Sequence, residues 1–425
     1  MNILLTNFHS MRNAGDAALL DTSLRILGEA FPDARFALSA NYPHEPELVR
    51  QGLEIMPSPG AITGSFSGTS PFRQVLGLSD GLWLARRASA DPSRPIPSGW
   101  QRLFQAYREA GLVVCCPGNP FFSMGRVGWP LWVSLSSLWL AHCFGRPLYI
   151  LPQTLGPFRR GWESRGMRSL LLRARRVFVR DLPSQRLALS WGLGIGQVQY
   201  SPDLALDFPP ASEQEARQAL SRWGYSPASP ALGINLVPRL VLTLSPASLE
   251  AAYQAFAAAL GCFAAESGVQ LFFFAQSTGP TNREDDRLPA RRVLEMLPAG
   301  CRAVLVDEPF RPALLKACYG LMDAFVACRL HAGLFALGMG VPCLFVGYLE
   351  KTKGMLEMLD WLEWMIALEQ ITPELLARRL WSLWQQRGDL RARLQRLIPE
   401  MAAFIPQPAK IIREDLARYF QEIRT

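Results

Sequence analysis

Two cations, an imidazole and a phenol lie close together in the C-terminal half of the sequence. Arg329 and His331 are separated by one residue, and Tyr348 and Lys351 follow a little further along the chain. Fixed positive charges beside a group that titrates near neutral pH suit a small polyanion that must be protonated during a reaction. A solvated basic loop with a structural histidine would give the same residues, and their spacing alone does not identify a reaction.

The residues around these four side chains predict a strand, a helix and a second strand. The apolar runs at 324–328 and 343–346 are typical of buried strands, and the small residues at 332–337 are typical of a helix that ends at Gly338. Ligands of open α/β sheets bind at the carboxyl ends of strands, which is where the four side chains fall. The start of the helix adds backbone N–H groups and the positive end of the helix dipole.

A second candidate site follows the first strand of the chain. The apolar run at 2–7 leads into a loop with Asn13, Gly15 and Asp16, and an amphipathic helix follows, for which we predict Asp16 as the N-cap. A strand, a glycine-containing loop and a helix form the setting in which backbone N–H groups bind a phosphate or a carboxylate. An ordinary turn between a strand and a helix has the same pattern.

Further polar residues follow predicted strands of the N-terminal half. Arg180 ends one strand, where a guanidinium can bind a carboxylate or phosphate through two parallel hydrogen bonds. Gln153 ends another, as a substrate contact or as a turn residue. The segment 159–180 contains eight arginines, which form either a solvated helix face or a patch for an anionic membrane or lipid diphosphate.

The composition indicates a globular protein with an excess of positive charge. The chain has 425 residues, 49% of them hydrophobic, and a formal net charge of +8, which suits anionic small molecules, phospholipid surfaces or nucleic acid. The sequence has no motif typical of nucleic-acid binding and no spacing of its eight cysteines typical of a zinc site or a disulfide framework. The N-terminus lacks a basic signal region, and the apolar stretch 129–144 is too short for a membrane span, so we expect a cytoplasmic protein.

Several segments resemble the polysaccharide pyruvyl transferase family. The string RLHAGLFALGMGVPCLFVGYLEKTKG is similar to the family signature of Arg-x-His, a small-residue helix, Gly-x-Pro, a strand and Tyr-x-x-Lys. NAGDAAL, PQTLGPF, VRDLPS and SPDLAL resemble other family segments, so the likeness extends over most of the chain. The family usually has a Gly-Gly-rich turn where this chain has the segment 117–120, and a backbone-amide site is therefore not carried over there.

The resemblance implies a function, a fold and roles for residues. It implies transfer of pyruvate from phosphoenolpyruvate to a sugar as a ketal, with no metal or redox cofactor. It implies His331 as the general acid or base, Arg329 and Arg180 as ligands of the donor's carboxylate or phosphate, and Lys351 as the cation that neutralises the leaving phosphate. The remaining positions expected to contact substrate are Asn13, Gly15, Asp16, Gln153, Tyr348 and Asp203, of which Asp203 could instead orient Arg180 or cap a helix.

The predicted fold is α/β, with two Rossmann-like domains facing a cleft in a glycosyltransferase-B-like arrangement and with C-terminal helices. The predicted boundaries are an acceptor-side domain at 1–208, with an inserted lid-like or acceptor-facing segment at 56–100, a linker at 209–230, and a domain at 231–425 that carries the donor motif. The last helix of such folds often crosses back to the N-terminal domain.

The expected partners are phosphoenolpyruvate and a glycan acceptor, including a lipid-linked one, with no nucleic acid. A location at the inner face of the cell membrane, with peripheral contact to anionic lipid, would follow from a lipid-linked acceptor. Two other functions fit the same pattern. A nucleotide-sugar-dependent glycosyltransferase would bind its diphosphate with the same cations and would use Glu308 or Glu357 for the ribose. A binding protein that has kept the fold without catalysis is the third.

Overall fold

The computed structural model describes residues 1–49, 52–66, 70–91, 93–123, 129–238, 246–347 and 350–424. The chain forms two compact units. Unit 1 comprises Met1–Met11, Leu19–Leu204 and Phe404–Thr425, and unit 2 comprises Arg12–Ala18 and Ala205–Ala403.

Unit 1 is built on a parallel sheet with helices along the chain between its strands. The strands are β1 (Asn2–Phe8), β2 (Arg35–Ala40), β3 (Glu54–Pro57), β4 (Leu112–Cys115), β5 (Gly118–Phe121), β6 (Leu148–Leu155), β7 (Arg176–Val179) and β8 (Val198–Tyr200). The helices are α1 (Ala14–Ala30), whose first turn groups with unit 2, α2 (Pro46–Val49), α3 (Pro59–Ile62), α4 (Pro71–Ala90), α5 (Ser98–Glu109), α6 (Trp129–Cys143), α7 (Gly161–Leu171) and α8 (Leu182–Ser190). The strand order is β3-β2-β1-β4-β6-β7-β8, with β5 paired to β6. Every residue of β4 is buried, as expected of a strand covered on both faces.

Unit 2 has the same kind of architecture. Its strands are β9 (Ala231–Asn235), β10 (Gln270–Phe274), β11 (Ala303–Val306), β12 (Ala324–Ala327), β13 (Cys343–Gly347) and β14 (Met365–Ala367). Its helices are α9 (Glu213–Ser221), α10 (Pro246–Ser267), α11 (Arg287–Met296), α12 (Pro312–Gly320), α13 (Leu330–Gly338), α14 (Glu350–Met358) and α15 (Pro373–Ala402), and the final helix, α16 (Gln407–Arg424), belongs to unit 1. The strand order β11-β10-β9-β12-β13-β14 reverses between β9 and β12, so the topological switch point lies there.

The predicted strand, helix and strand around His331 are confirmed as β12, α13 and β13. The helix begins at Leu330, two residues before the predicted start at 332, because Arg329 already occupies the N-cap position. Small residues allow close packing here: a Cβ on Gly333 would lie 2.1 Å from the ring of Phe345 on β13. The absence of a side chain at Gly333 therefore allows α13 to pack closely against the strand that follows it.

The segment predicted to be a lid-like insertion is part of the unit 1 core. The helix α4 buries Leu78 and Ala85, and α5 buries Trp100 and Phe104 in the same hydrophobic cluster. A Cβ on Gly81 would lie 2.1 Å from the Trp100 ring, so the two helices are in direct contact. This packing argues against a lid, because lids are drawn from segments with few buried contacts.

The compact units differ from the predicted boundaries in the segments 12–18, 205–208 and 404–425, and the predicted linker 209–230 belongs to unit 2. The physical reason is clearest for α16. Asp415 on that helix accepts a hydrogen bond from the Tyr149 hydroxyl at 2.9 Å and pairs with Arg175 and Arg176 at 2.9 and 2.7 Å, all within unit 1. Among the residues that the structure describes, no helix has the length and apolar composition needed to cross a membrane.

Candidate functional site

The candidate site lies at the carboxyl edge of the unit 2 sheet, at its topological switch point. Asn235 is the last residue of β9, and Arg329 follows β12 and precedes α13. The Asn235 side chain joins the two strand ends, because its Oδ1 accepts a hydrogen bond from the Arg329 backbone N–H at 3.1 Å. Polar groups are thus fixed at the place where ligands of such sheets bind.

Arg329 forms an ion pair with Asp286, a fully buried residue that precedes α11. Its Nε lies 2.8 and 2.7 Å from the two carboxylate oxygens, and its Nη2 lies 2.7 Å from Oδ1. The Asn235 amide and the Ser277 backbone N–H each donate to the same carboxylate at 3.1 Å. Burial raises the pKa of Asp286, and these donors oppose the rise. The guanidinium is therefore held in one orientation and its charge is largely balanced within the protein.

The first turn of α13 carries His331 and follows an arginine. Arg329 occupies the N-cap position, and its side chain forms no capping hydrogen bond. Helix starts usually have a Ser, Thr, Asp or Asn acceptor at that position. A bound carboxylate or phosphate can satisfy these N–H groups in its place.

The predicted Asn13 loop meets His331 directly. A Cβ placed on Gly15 would lie 2.4 Å from Nδ1, 2.6 Å from Cγ and 2.7 Å from Cβ of His331, so the backbone of the loop contacts the imidazole. Only a glycine leaves room for that contact. The positive ends of α1 and α13 are consequently near one another, and the imidazole lies between them.

Asn13, not Asp16, caps α1, which corrects the predicted N-cap. The Asn13 side chain accepts a hydrogen bond from the Gly15 N–H at 3.0 Å, and its carbonyl accepts one from Ala17 at 3.0 Å. Asp16 lies in the first turn of the helix, where a negative charge is favourable. The loop is also anchored to the end of β10, because Ala14 N–H donates to the Gln276 carbonyl at 2.9 Å.

The predicted site residues of unit 1 are internal to that unit. Arg180 is only 1% exposed; it forms an ion pair with Asp203 and donates to the Thr154 hydroxyl at 3.0 Å. Of the roles considered for Asp203, the structure supports the one in which Asp203 orients Arg180. Gln153 is fully buried and donates to the Cys116 carbonyl, while its Oε1 has no hydrogen-bond partner among the described residues. Direct contact of these residues with substrate stays a prediction.

Two residues of the predicted motif cannot be placed in this site. Tyr348 lies outside the described residues, as does the side chain of Lys351, whose backbone is in the first turn of α14. Their roles stay predictions from the motif. Across the described part of the chain, no three histidine, cysteine or carboxylate side chains come together as metal ligands would.

The sequence analysis missed Asn235 and did not count Asp286 among the site residues. Asn235 closes the apolar run ALGIN, and a buried amide at a strand end is a usable signal, because its polar groups need partners there.

The two units define an α/β fold of the glycosyltransferase-B-like class. The chain is similar in structure to a putative UDP-N-acetylglucosamine 2-epimerase from Listeria monocytogenes, with a TM-score of 0.60 and 12% identity over 96% of this chain and 94% of that one. It is similar to sucrose-phosphate synthase from Thermosynechococcus elongatus, with a TM-score of 0.60 and 12% identity over 100% of both chains. A third neighbour is Anabaena HepE in complex with UDP-glucose, with a TM-score of 0.54 and 14% identity over 99% of this chain and 100% of that one.

The site motifs then identify the family. The model of the polysaccharide pyruvyl transferase family matches residues 13–350, a range that includes the Asn13 loop, Arg180 and the Arg329-His331 motif. The chain therefore belongs to the polysaccharide pyruvyl transferase family and is a transferase. Comparison with curated proteins gives no match.

Proposed function

We propose that the protein transfers pyruvate from phosphoenolpyruvate to two hydroxyl groups of a sugar and releases inorganic phosphate. C3 of the donor gains a proton and becomes a methyl group, C2 forms two bonds to sugar oxygens, and the bond between C2 and the phosphate oxygen breaks. One hydroxyl proton is accounted for by the methyl group and the other leaves with the phosphate. The product is a ketal of pyruvate on a polysaccharide or on a lipid-linked glycan precursor.

One observation carries this proposal: in a member of this family, the His331 imidazole is held between the first turns of α1 and α13 at the switch point of the sheet. A positioned imidazole can deliver the proton to C3 or accept a proton from a sugar hydroxyl. Gly15 supports this role because its missing side chain sets the position of the ring. Asn13 supports it by capping the helix that carries Gly15.

The donor's negative charges are met by backbone and side-chain groups around that imidazole. The backbone N–H groups at the start of α13, where the N-cap arginine provides no capping acceptor, suit the carboxylate or the phosphate. Arg329 adds a guanidinium whose orientation is fixed by Asp286. In this proposal Lys351 neutralises the leaving phosphate and Tyr348 contacts the substrate. Such preorganised charges are usually the largest single contribution to catalysis.

The test is phosphate release from phosphoenolpyruvate across a panel of glycan acceptors. The His331→Ala variant should lose at least about 100-fold in turnover, since general acid–base catalysis typically contributes 10²–10⁴-fold. His44→Ala, at an exposed position of unit 1, is the matched control and should keep its activity. Full turnover by the folded His331→Ala variant would refute the acid–base role.

Thermal unfolding of the same protein distinguishes between the two candidate donors. Phosphoenolpyruvate should raise the melting temperature, whereas UDP-glucose should not. Stabilisation by UDP-glucose alone would favour the nucleotide-sugar-dependent glycosyltransferase. Glu308, one of the two carboxylates considered for the ribose, lies in an exposed ion pair with Arg222 at 3.6 Å.

A lipid-linked acceptor would place the protein at a membrane surface, but the arginine-rich segment 159–180 does not form one free basic face. Arg160 pairs with Glu163, and Arg175 and Arg176 pair with Asp415. Arg165 and Arg168 on α7 stay exposed. Peripheral contact with anionic lipid therefore needs more surface than these arginines supply.

A further inference from the structure

The outer face of α4 exposes large apolar side chains in a single stripe. Phe72 is 73% exposed and Trp83 is 56% exposed, and Val75 and Leu76 are nearly half exposed. In a helix of 3.6 residues per turn, Phe72, Leu76 and Trp83 project from nearly the same side. The stripe extends over about 16 Å, since eleven residues separate its ends at about 1.5 Å each. Apolar clusters of this kind on a soluble surface mark interaction sites.

The opposite face of α4 packs in the core of unit 1, so the apolar stripe remains exposed in the folded unit. Gln74, Leu78, Gly81, Ala85 and Ala88 are buried along that face. The Ser70 side chain caps the helix by accepting from the Arg73 N–H at 3.5 Å. With its inner face packed and its start capped, α4 presents the apolar stripe permanently.

The charges around the stripe are nearly all positive. Arg73, Arg86 and Arg87 are exposed, and Asp80 is the one acidic residue in the sequence of α4. The Arg87 guanidinium lies 4.2 Å from the centroid of the Trp83 ring, which holds a cation against the apolar surface. Apolar and aromatic residues bordered by arginine are the composition of helices that lie in the interface of an anionic membrane.

Unit 1 carries a further pair of stacked tryptophans on neighbouring helices. α4 packs against α6, and α6 packs against α7. Trp132 on α6 is exposed and stacks on Trp162 of α7, with ring centroids 5.0 Å apart and planes at 19°. Tryptophan is enriched at membrane–water interfaces, because its amphipathic ring suits the level of the lipid headgroups.

We propose that α4 docks unit 1 on the surface of an anionic phospholipid membrane. Phe72, Leu76 and Trp83 enter the boundary between headgroups and acyl chains, and the arginines bind lipid phosphates. A second copy of the chain fits this face less well, because a two-fold interface centred on α4 would bring its arginines against one another. The proposal deepens the lipid-linked acceptor suggested above, but membrane binding can be measured without donor or acceptor.

The test is co-sedimentation of the full chain with vesicles of phosphatidylcholine containing phosphatidylglycerol, compared with vesicles of phosphatidylcholine alone. The protein should sediment with the anionic vesicles, and added salt should weaken binding by screening the arginines. The combined variant Phe72→Ser, Leu76→Ser and Trp83→Ser should lose at least about tenfold in partitioning, because its apolar stripe is gone. A matched control replaces three exposed apolar residues elsewhere, Ile195, Leu288 and Phe404, with serine and should bind as the unaltered protein does.

A second pair of variants tests the charges. Arg86→Gln with Arg87→Gln should weaken binding to anionic vesicles by more than Arg165→Gln with Arg168→Gln, which removes two arginines from α7. Absence of vesicle binding, equal binding by the serine variant of α4, or a stronger effect of the α7 pair would each overturn the proposal. A concentration-dependent dimer that the α4 variant dissolves would assign the face to self-association instead. If phosphoenolpyruvate fails to raise the melting temperature, the proposed reaction is wrong. The vesicle experiment still tests membrane binding, because it needs neither donor nor acceptor.

Discussion

The contact between Gly15 and His331 allows the sharpest prediction, because one added methyl group should displace the imidazole. In Gly15→Ala the new Cβ would lie 2.4 Å from Nδ1 and 2.6 Å from Cγ, whereas atoms in contact are normally about 3.5–4.0 Å apart. The ring must therefore move by about 1 Å, a shift that can reduce a rate by about 100-fold when it misplaces a catalytic group. Overpacking of this kind also costs about 1–3 kcal/mol of stability.

The same helix provides a matched control. A Cβ on Gly28 of α1 would have no heavy atom within 4 Å. Gly28→Ala should therefore raise the free energy of unfolding by about 0.5–1 kcal/mol, the usual gain from replacing a helical glycine, and leave activity unchanged. Phosphate release gives kcat and KM, and thermal or urea unfolding gives stability.

The expected pattern is a loss in kcat for Gly15→Ala that exceeds any change in KM, because proton transfer depends on the position of the ring more than donor binding does. A folded Gly15→Ala protein with the kcat of the unaltered chain would contradict the reasoning. It would mean either that the imidazole tolerates the shift or that His331 takes no part in the reaction.

Three further variants test groups whose environments the structure defines. Burial raises the pKa of Asp21 to about 6, so the stability linked to its protonation is present below about pH 4 and is lost as the pH rises through about 6. Asp21→Asn should therefore raise the free energy of unfolding by about 1–2 kcal/mol near pH 7.5, after allowance for solvent screening, and have no effect near pH 4. Lys316→Met removes an ammonium that donates to three carbonyls of segment 205–208 at 2.7, 2.8 and 3.2 Å, and urea unfolding should show a loss of about 3 kcal/mol or more. Asp286→Asn leaves Arg329, whose side chain is 17% exposed, without its counter-charge and should cost about 3 kcal/mol in the same assay, whereas Asp360→Asn, in an exposed pair, should cost less than about 1 kcal/mol.

Much of the fold could be predicted because local apolar patterns carry it. The apolar runs predicted at 324–328 and 343–346 became β12 and β13 with bounds that agree to within one residue, since each is a continuous apolar segment. The assignment of α16 to unit 1 depends on Asp415, which contacts Tyr149 and Arg175, two residues that lie more than two hundred positions earlier in the chain. No local pattern reports such a pairing.

For the site as well, the sequence indicates which residue types are present but not which residues they contact. The prediction that Arg329 and His331 lie at the edge of a sheet is confirmed, because that placement follows from the alternation of strands and helices. The sequence could not reveal that Arg329 is paired with Asp286, since the two residues are joined by tertiary packing. The close approach of Gly15 to the imidazole was equally hidden, because a glycine in a turn has several common explanations.

The ion pairs change how a dianion can be held in this protein. Both arginines that the sequence offered as anion ligands have a buried carboxylate partner, Arg329 in unit 2 and Arg180 in unit 1. A pair with a balanced charge attracts an added anion less than a lone guanidinium does. The backbone is a further source of fixed positive potential beside His331, because α13 begins there with an N-cap residue whose side chain forms no capping hydrogen bond. We therefore expect the carboxylate or phosphate of the donor to bind at the start of α13. The paired Arg329 then keeps the strand end and the helix start in place, so that the imidazole meets the donor at a fixed distance.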